Sequence, residues 1–128
     1  MLTEKRLRKL EGMVAEITLE ELHSKIENGE CFHLLEVSNQ ADFDSGHIQG
    51  AIHVSLPAVG EFATAHFKRY EQIVIYGEDA ASSVGTVAAR TLQGAGFSNV
   101  LVLNGGKEAW RTACLPLDGQ PKEEKGSP

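Results

Sequence analysis

Between Gln72 and Gly96 the chain reads as a strand, a tight loop and a helix, and no other stretch restricts the fold as much. Ile73-Val74-Ile75-Tyr76 is β-branched and aromatic, the composition of a buried strand. Gly77-Glu78-Asp79-Ala80-Ala81-Ser82 follows, small or acidic throughout. Apolar residues then recur at Val84, Val87, Ala88, Leu92 and Ala95, spacings near 3.6 that predict a helix. Ser82 or Ser83 is suited to the N-cap, and Gly96 to the stop. Where a strand turns tightly into a helix, loop N–H groups and the helix dipole converge on one point and favour an anion.

The flanking sequence alternates in the same way. Met13 to Ile17 reads as a strand, and Thr18-Leu19-Glu20-Glu21 as a capping box opening a helix striped by Leu19, Leu22 and Ile26. Asn28-Gly29 ends that helix. Phe32 to Val37 is an apolar strand of the kind covered on both faces. Asn39 caps a short helical turn, and Ala51 to Val54 forms another strand. Ser55 and Pro57 open the next helix. Val100 to Leu103 is the last strand, and Gly105-Gly106 leads into a helix carrying Trp110, read as a core anchor. The alternation predicts an α/β fold, an open parallel five-stranded sheet flanked by helices. The expected organisation is an N-terminal helical extension over 1–12, one domain over 13–119 and a disordered polar tail over 120–128. In the extension, Lys5, Arg6, Arg8 and Lys9 stand against Glu4 and Glu11, with Leu7 and Leu10 as a small apolar edge. It reads either as a helix packed on the domain or partly frayed, or as an arm for a partner or a membrane surface, for which four bases among two acids make a poor anchor.

Charge excludes one class of partner. The net charge is −6, and residues 13–119 hold six Lys/Arg against fourteen Asp/Glu. No basic footprint for nucleic acid is present. No run approaches the ~18 apolar residues of a membrane span, and the first residues lack a signal-peptide apolar core. A cytoplasmic protein with no membrane association is expected. Cys31 and Cys114 form neither a CxxC nor a zinc spacing. His53 and His66 fall in different elements and suggest no metal pair, and His33 reads as a packing residue. Neither metal nor cofactor is expected.

Three further stretches carry a resemblance. Gly46-His47-Ile48-Gln49-Gly50-Ala51, Gly96-Phe97-Ser98-Asn99-Val100 and Asn104-Gly105-Gly106-Lys107-Glu108-Ala109-Trp110 resemble, in order, the GHIxGA, GF-x-N-V and GGxxxW signatures of the rhodanese family, the single-domain sulfurtransferases. The resemblance runs from about Ile17 to Leu117. It implies a catalytic Cys at the first loop residue after the strand, where this chain has Gly77, and an Arg in Asp-x-Arg, where Glu36-Val37-Ser38 has Ser38. It also implies that His47 holds its loop by hydrogen bonds.

Glycine cannot accept sulfur as a persulfide. No catalytic residue is therefore assigned. Gly77, Glu78, Asp79, Ala80, Ala81, Ser82 and Ser83 are read as a vestigial active-site loop, and Ser38 as a lost-Arg position. The expected function is binding or regulation, with a protein partner. The alternative is a thiosulfate or persulfide sulfurtransferase with a relocated cysteine. Cys31 precedes a strand and so belongs at the amino edge of the sheet, about 20 Å from the loop. Cys114 ends a helix, roughly 12 Å along it. A phosphatase on this fold would need a Cys and an Arg in a longer loop. An anion in the loop is disfavoured by Glu78 and Asp79. A helix N-terminus favours an anion by about 0.3–1 kcal/mol. One carboxylate ~6 Å away opposes it by about 0.7 kcal/mol in water and nearly 3 at an effective dielectric of ~20.

Overall fold

A computed structural model describes residues 14–79 and 81–119. The expected N-terminal extension, the polar tail, the start of the first strand at Met13 and loop residue Ala80 lie outside the described residues. Five strands and five α-helices alternate: β1 (Glu16–Ile17), α1 (Leu19–Glu27), β2 (His33–Val37), α2 (Gln40–Ser45), β3 (Ile52–Val54), α3 (Val59–His66), β4 (Ile73–Tyr76), α4 (Val84–Gly94), β5 (Val100–Leu103) and α5 (Gly106–Thr112). A 3₁₀ turn over Leu56–Ala58, with Pro57 near its start, feeds α3. The strands are all parallel, in the order β1-β5-β4-β2-β3. The expected open parallel sheet is therefore present, with β4 at its centre.

Two apolar layers hold it. Leu35, Val37, Ile73 and Ile75 pack on one face with Ala63 of α3 and Ala88, Ala89 and Leu92 of α4. Leu34, Val74 and Leu103 pack on the other with Leu22 of α1 and Trp110 of α5. Both faces are covered, which is why β2 and β4 read as nearly unbroken apolar runs. The expected stripe on α4 needs one correction. Val87 is exposed, and Gly85 and Ala89 are buried in its place. At 100° per residue, Val84, Ala88, Leu92 and Ala95 define a face from which Val87 is turned away.

Local signals are met where backbone groups need partners. Thr18 and Glu21 make both halves of the capping box, at 3.1 and 2.9 Å. Asn39 accepts from the Asp42 amide at 2.8 Å. His47 lies 3.0 Å through Nδ1 from the Phe43 carbonyl and stacks on that ring, so it holds its loop as expected.

At the amino edge, His33 stacks on Phe67 with ring centroids 3.8 Å apart, and its Nε2 lies 3.0 Å from Glu71 Oε1. The Lys68 amide donates to the same oxygen at 3.0 Å. That amide first, and His33 second, hold the Glu71 carboxyl below its ordinary range. The folded value lies under the unfolded one, so this contribution is present above the unfolded pKa of about 4.3 and is lost as pH falls through the lowered value. Denaturation midpoints are expected to decline on acidification through that window, and less steeply in Glu71→Gln.

Candidate active site

The carboxyl ends of β4 and β5 and the first turns of α4 and α5 meet at the 77–83 loop. Gly77 is buried directly after Tyr76. A Cβ built there would meet Ser82 Oγ at 3.5 Å and the Gly85 amide nitrogen at 3.6 Å, both ordinary contacts. Its φ lies outside the left-handed region, so nothing in the backbone requires glycine. A side chain at this position would start beside the N-terminus of α4, where the first amides lack helical partners.

The loop partly supplies its own anion. Asp79 Oδ1 accepts from the amides of Ala81 at 3.1 Å and Ser82 at 3.0 Å. Ser82 Oγ accepts from the Val84 amide at 3.3 Å. Ser83 stands at the N-cap position of α4 without a side-chain cap, so Ser82 does the capping. Glu78 turns away toward α5, where Arg111 reaches its Oε2 at 3.3 Å and Glu108 at 2.6 Å. Of the two loop acids, Asp79 is the one whose charge is directed into the loop.

α5 grips the loop through its backbone. The Lys107 amide donates to the Gly77 carbonyl at 2.9 Å, and the Glu108 amide to that of Glu78 at 2.7 Å. Gly106 makes this approach possible. Its φ is +61°, and a Cβ there would fall 2.7 Å from the Gly77 carbonyl oxygen. Gly77, Asp79, Ser82, Gly85, Asn104 and Gly106 border a cleft of about 90 Å³, large enough for a small ion or a few waters.

Beneath the loop lies a buried ion pair. Glu36 and Lys107 are 0% and 1% exposed, and Lys107 Nζ sits 2.8 Å from Glu36 Oε2. Lys107 also donates to the carbonyls of Asp42 at 2.9 Å and Gly46 at 2.6 Å, so its three donors are all used. Ser38 Oγ donates to Glu36 Oε2 at 2.7 Å. Tyr76, the register partner of Glu36 across β2 and β4, donates to Oε1 at 2.7 Å and accepts from the Ile48 amide at 2.9 Å. Burial first, and the negative charge of Glu36 second, push the Tyr76 hydroxyl far above its ordinary pKa and keep it a donor. One carboxylate thus ties β2, β4, the 46–48 loop and α5 together.

Residues 18–113 match the rhodanese-like domain family. The chain belongs to that family. A thiosulfate sulfurtransferase, GlpE of Pseudomonas entomophila, is 32% identical over 80 residues, covering 62% of this chain and 70% of that one. YrkF of Bacillus subtilis, whose name assigns it provisionally to sulfur carriage, is 28% identical over 97 residues, 76% of this chain and 51% of that one. The chain therefore spans about half the length of that relative. Among solved structures, the BH2092 protein of Bacillus halodurans superposes with a TM-score of 0.79 at 23% identity over 98% of both chains. The rhodanese-like domain of Alr3790 from Anabaena gives 0.76 at 26%, covering 91% of this chain and 89% of that one.

Within this rhodanese-like domain the loop residues singled out from the sequence are brought together, Ala80 aside, and Ser38 joins them through Glu36. The cysteines are not. Cys31 is exposed ahead of β2, at the amino edge beside Tyr70 and Glu71. Cys114 is exposed beyond the far end of α5. It has φ 63°, and its amide bonds the Arg111 carbonyl while that of Leu115 bonds the Trp110 carbonyl. This pair of bonds makes a Schellman cap with cysteine in the left-handed position. Cys114→Gly is expected to raise stability by about 1 kcal/mol by removing the left-handed penalty, read as a higher urea midpoint.

The Glu36–Lys107 pair is not among the residues singled out from the sequence. Its signals were a charge within Leu34-Leu35-Glu36-Val37 and a lysine directly after two glycines. Among the described residues no group of three His, Cys, Asp or Glu side chains could hold a metal, and no helix is long and apolar enough to cross a membrane.

Proposed function

We propose that this rhodanese-like domain does not transfer sulfur and acts in binding or regulation, in the reducing cytoplasm, through a protein partner. The observation that carries the reading is Gly77 at the first position after β4. Sulfur transfer needs a thiolate to accept the sulfur, and bare backbone offers none. Two further features support it. Asp79 fills part of the loop's amide cradle, which disfavours thiosulfate. Ser38 donates to Glu36 as a neutral group, so it adds no positive charge for steering an anion.

The sulfurtransferase reading with a relocated nucleophile draws on the names of the relatives. The places of Cys31 and Cys114, each outside the cleft, weigh against it. The deciding experiment incubates the protein with thiosulfate and cyanide and follows thiocyanate. Turnover no greater than a protein-free blank is expected. Turnover that persists in Cys31→Ser/Cys114→Ser overturns silence of the loop. Turnover lost in that variant moves the activity to a relocated thiol.

A further inference from the structure

A shallow trough of about 590 Å³ runs along α5 beside the loop. Leu19, Ala81, Ala109 and Ala113 give it an apolar floor, and Asp79 and Glu108 stand along it. Thr112 and Ala113 lie three and four residues beyond Ala109, so all three share one face of α5. Ala81 and Ala113 are exposed and Leu19 is half-buried, so among the described residues this floor has no cover.

Charge around the trough is one-sided. Glu20 and Glu21 open α1 next to Leu19, and Glu78 shares Arg111 with Glu108. Among the described residues this sets Glu20, Glu21, Glu78, Asp79 and Glu108 against Arg111. Glu21 and Asp79 accept from backbone amides, which leaves their charge in place. Lys107, 3.9 Å from Glu78, is buried and bonded to Glu36. Arg90 belongs to α4, which covers the opposite face of the sheet, and counting it here as well still leaves the acids in excess. Lys25 is bonded to Glu30 near the far end of α1, and Lys68 and Arg69 lie at the amino edge between α3 and β4. An acidic margin repels nucleic-acid phosphates and anionic lipid headgroups, so its complement is a protein surface carrying Lys or Arg.

We propose that the trough receives a basic amphipathic helix of a partner protein. Two apolar side chains of that helix, one turn apart, seat on the alanine floor, which α5 extends for about 10 Å. Its Lys or Arg side chains face Asp79 and Glu108. A partner seated here lies against the 77–83 loop, so the assignment specifies the binding role proposed above and rests on it.

The probe is a short synthetic helix with two leucines one turn apart among lysines and alanines, titrated into the full-length, isotope-labelled protein. Saturable shifts are expected at the amides of Ala81, Glu108, Ala109, Thr112 and Ala113. Glu108→Lys should weaken binding about tenfold, and Glu108→Gln, which keeps an acceptor for Arg111, by less. Glu61→Lys makes the same change in net charge on α3, across the sheet, and should leave the affinity nearly unchanged. A probe with serines in place of the leucines should bind several-fold more weakly. Absence of saturable shifts at these amides overturns the proposal. So does equal weakening by Glu61→Lys and Glu108→Lys, since that reports net charge alone, and so does equal binding of a probe with glutamates in place of the lysines. Shifts at the same amides on raising protein concentration without peptide assign the trough to a second copy and equally overturn it. Sulfur transfer in the thiocyanate assay overturns the non-catalytic role instead, so the two failures are told apart.

Discussion

Lys107→Met is expected to cost about 3–5 kcal/mol, the loss seen when one member of a buried ion pair is removed and the other left charged. For a domain whose total stability is about 5–15 kcal/mol, that is a large fraction. Urea unfolding checks it through the midpoint at unchanged slope. The size of the effect follows from what Lys107 holds. Its ammonium neutralises Glu36 at 2.8 Å and satisfies two carbonyls, Asp42 within α2 and Gly46 at its C-cap. Methionine fills the space of the stem but leaves a carboxylate with two neutral donors, Ser38 and Tyr76. Glu36→Gln in the same chain removes the charge that has lost its partner. The double variant is therefore expected to lose clearly less than the two single losses added.

A more pointed test uses the position where the family resemblance implies an arginine. Ser38 already reaches Glu36 Oε2 at 2.7 Å. Ser38→Arg brings a guanidinium to the same carboxylate. In the Lys107→Met background it is expected to recover stability, whereas beside native Lys107 it should add little, because Glu36 already has its counter-charge. Equal effects in the two backgrounds would show that positions 38 and 107 do not serve one carboxylate.

The pair also shows where reading the sequence succeeded and where it stopped. Strands and helices were legible because each reports on its own neighbourhood: β-branched runs at 73–76 and 100–103, a capping box at Thr18, a glycine pair before α5. The signatures at 46–51 and 104–110 fixed the fold because their order and spacing are set by one topology. The loop was legible for the same reason, as the turn after the central strand. The ion pair was not, since Glu36 and Lys107 are 71 residues apart and meet only when β2 lies beside β4 and α5 folds over both. Nor could the roles of Glu78 and Asp79 be separated. Side by side in sequence, they face opposite ways, one toward Arg111 and one into the loop's own amides. Treating both as charges aimed at a guest overstates the repulsion, and Asp79 carries what remains.

That distinction sets the outcome of restoring the absent side chain. Gly77→Cys meets only ordinary contacts and no strained φ, so the variant should fold. Its Cβ starts 3.6 Å from the Gly85 amide nitrogen at the head of α4, where a thiol's pKa falls below about 8.5. Asp79 works against this, though its Oδ1 is already bonded to two amides. In Cys31→Ser/Cys114→Ser/Gly77→Cys, the thiolate attacks the outer sulfur of thiosulfate, the S–S bond breaks, and sulfite leaves with the electron pair. Intact mass should show one added sulfur, acquired slowly. Adding Asp79→Asn removes the inward charge and should speed acquisition several-fold below the thiol pKa, by less than the gain in thiolate because a less basic thiolate is a weaker nucleophile. Adding Glu78→Gln instead should do much less, because Arg111 already screens that carboxylate. If no variant gains sulfur, the loop is not poised for transfer even with its nucleophile supplied. If Glu78→Gln matches Asp79→Asn, the inward direction of Asp79 has no electrostatic consequence.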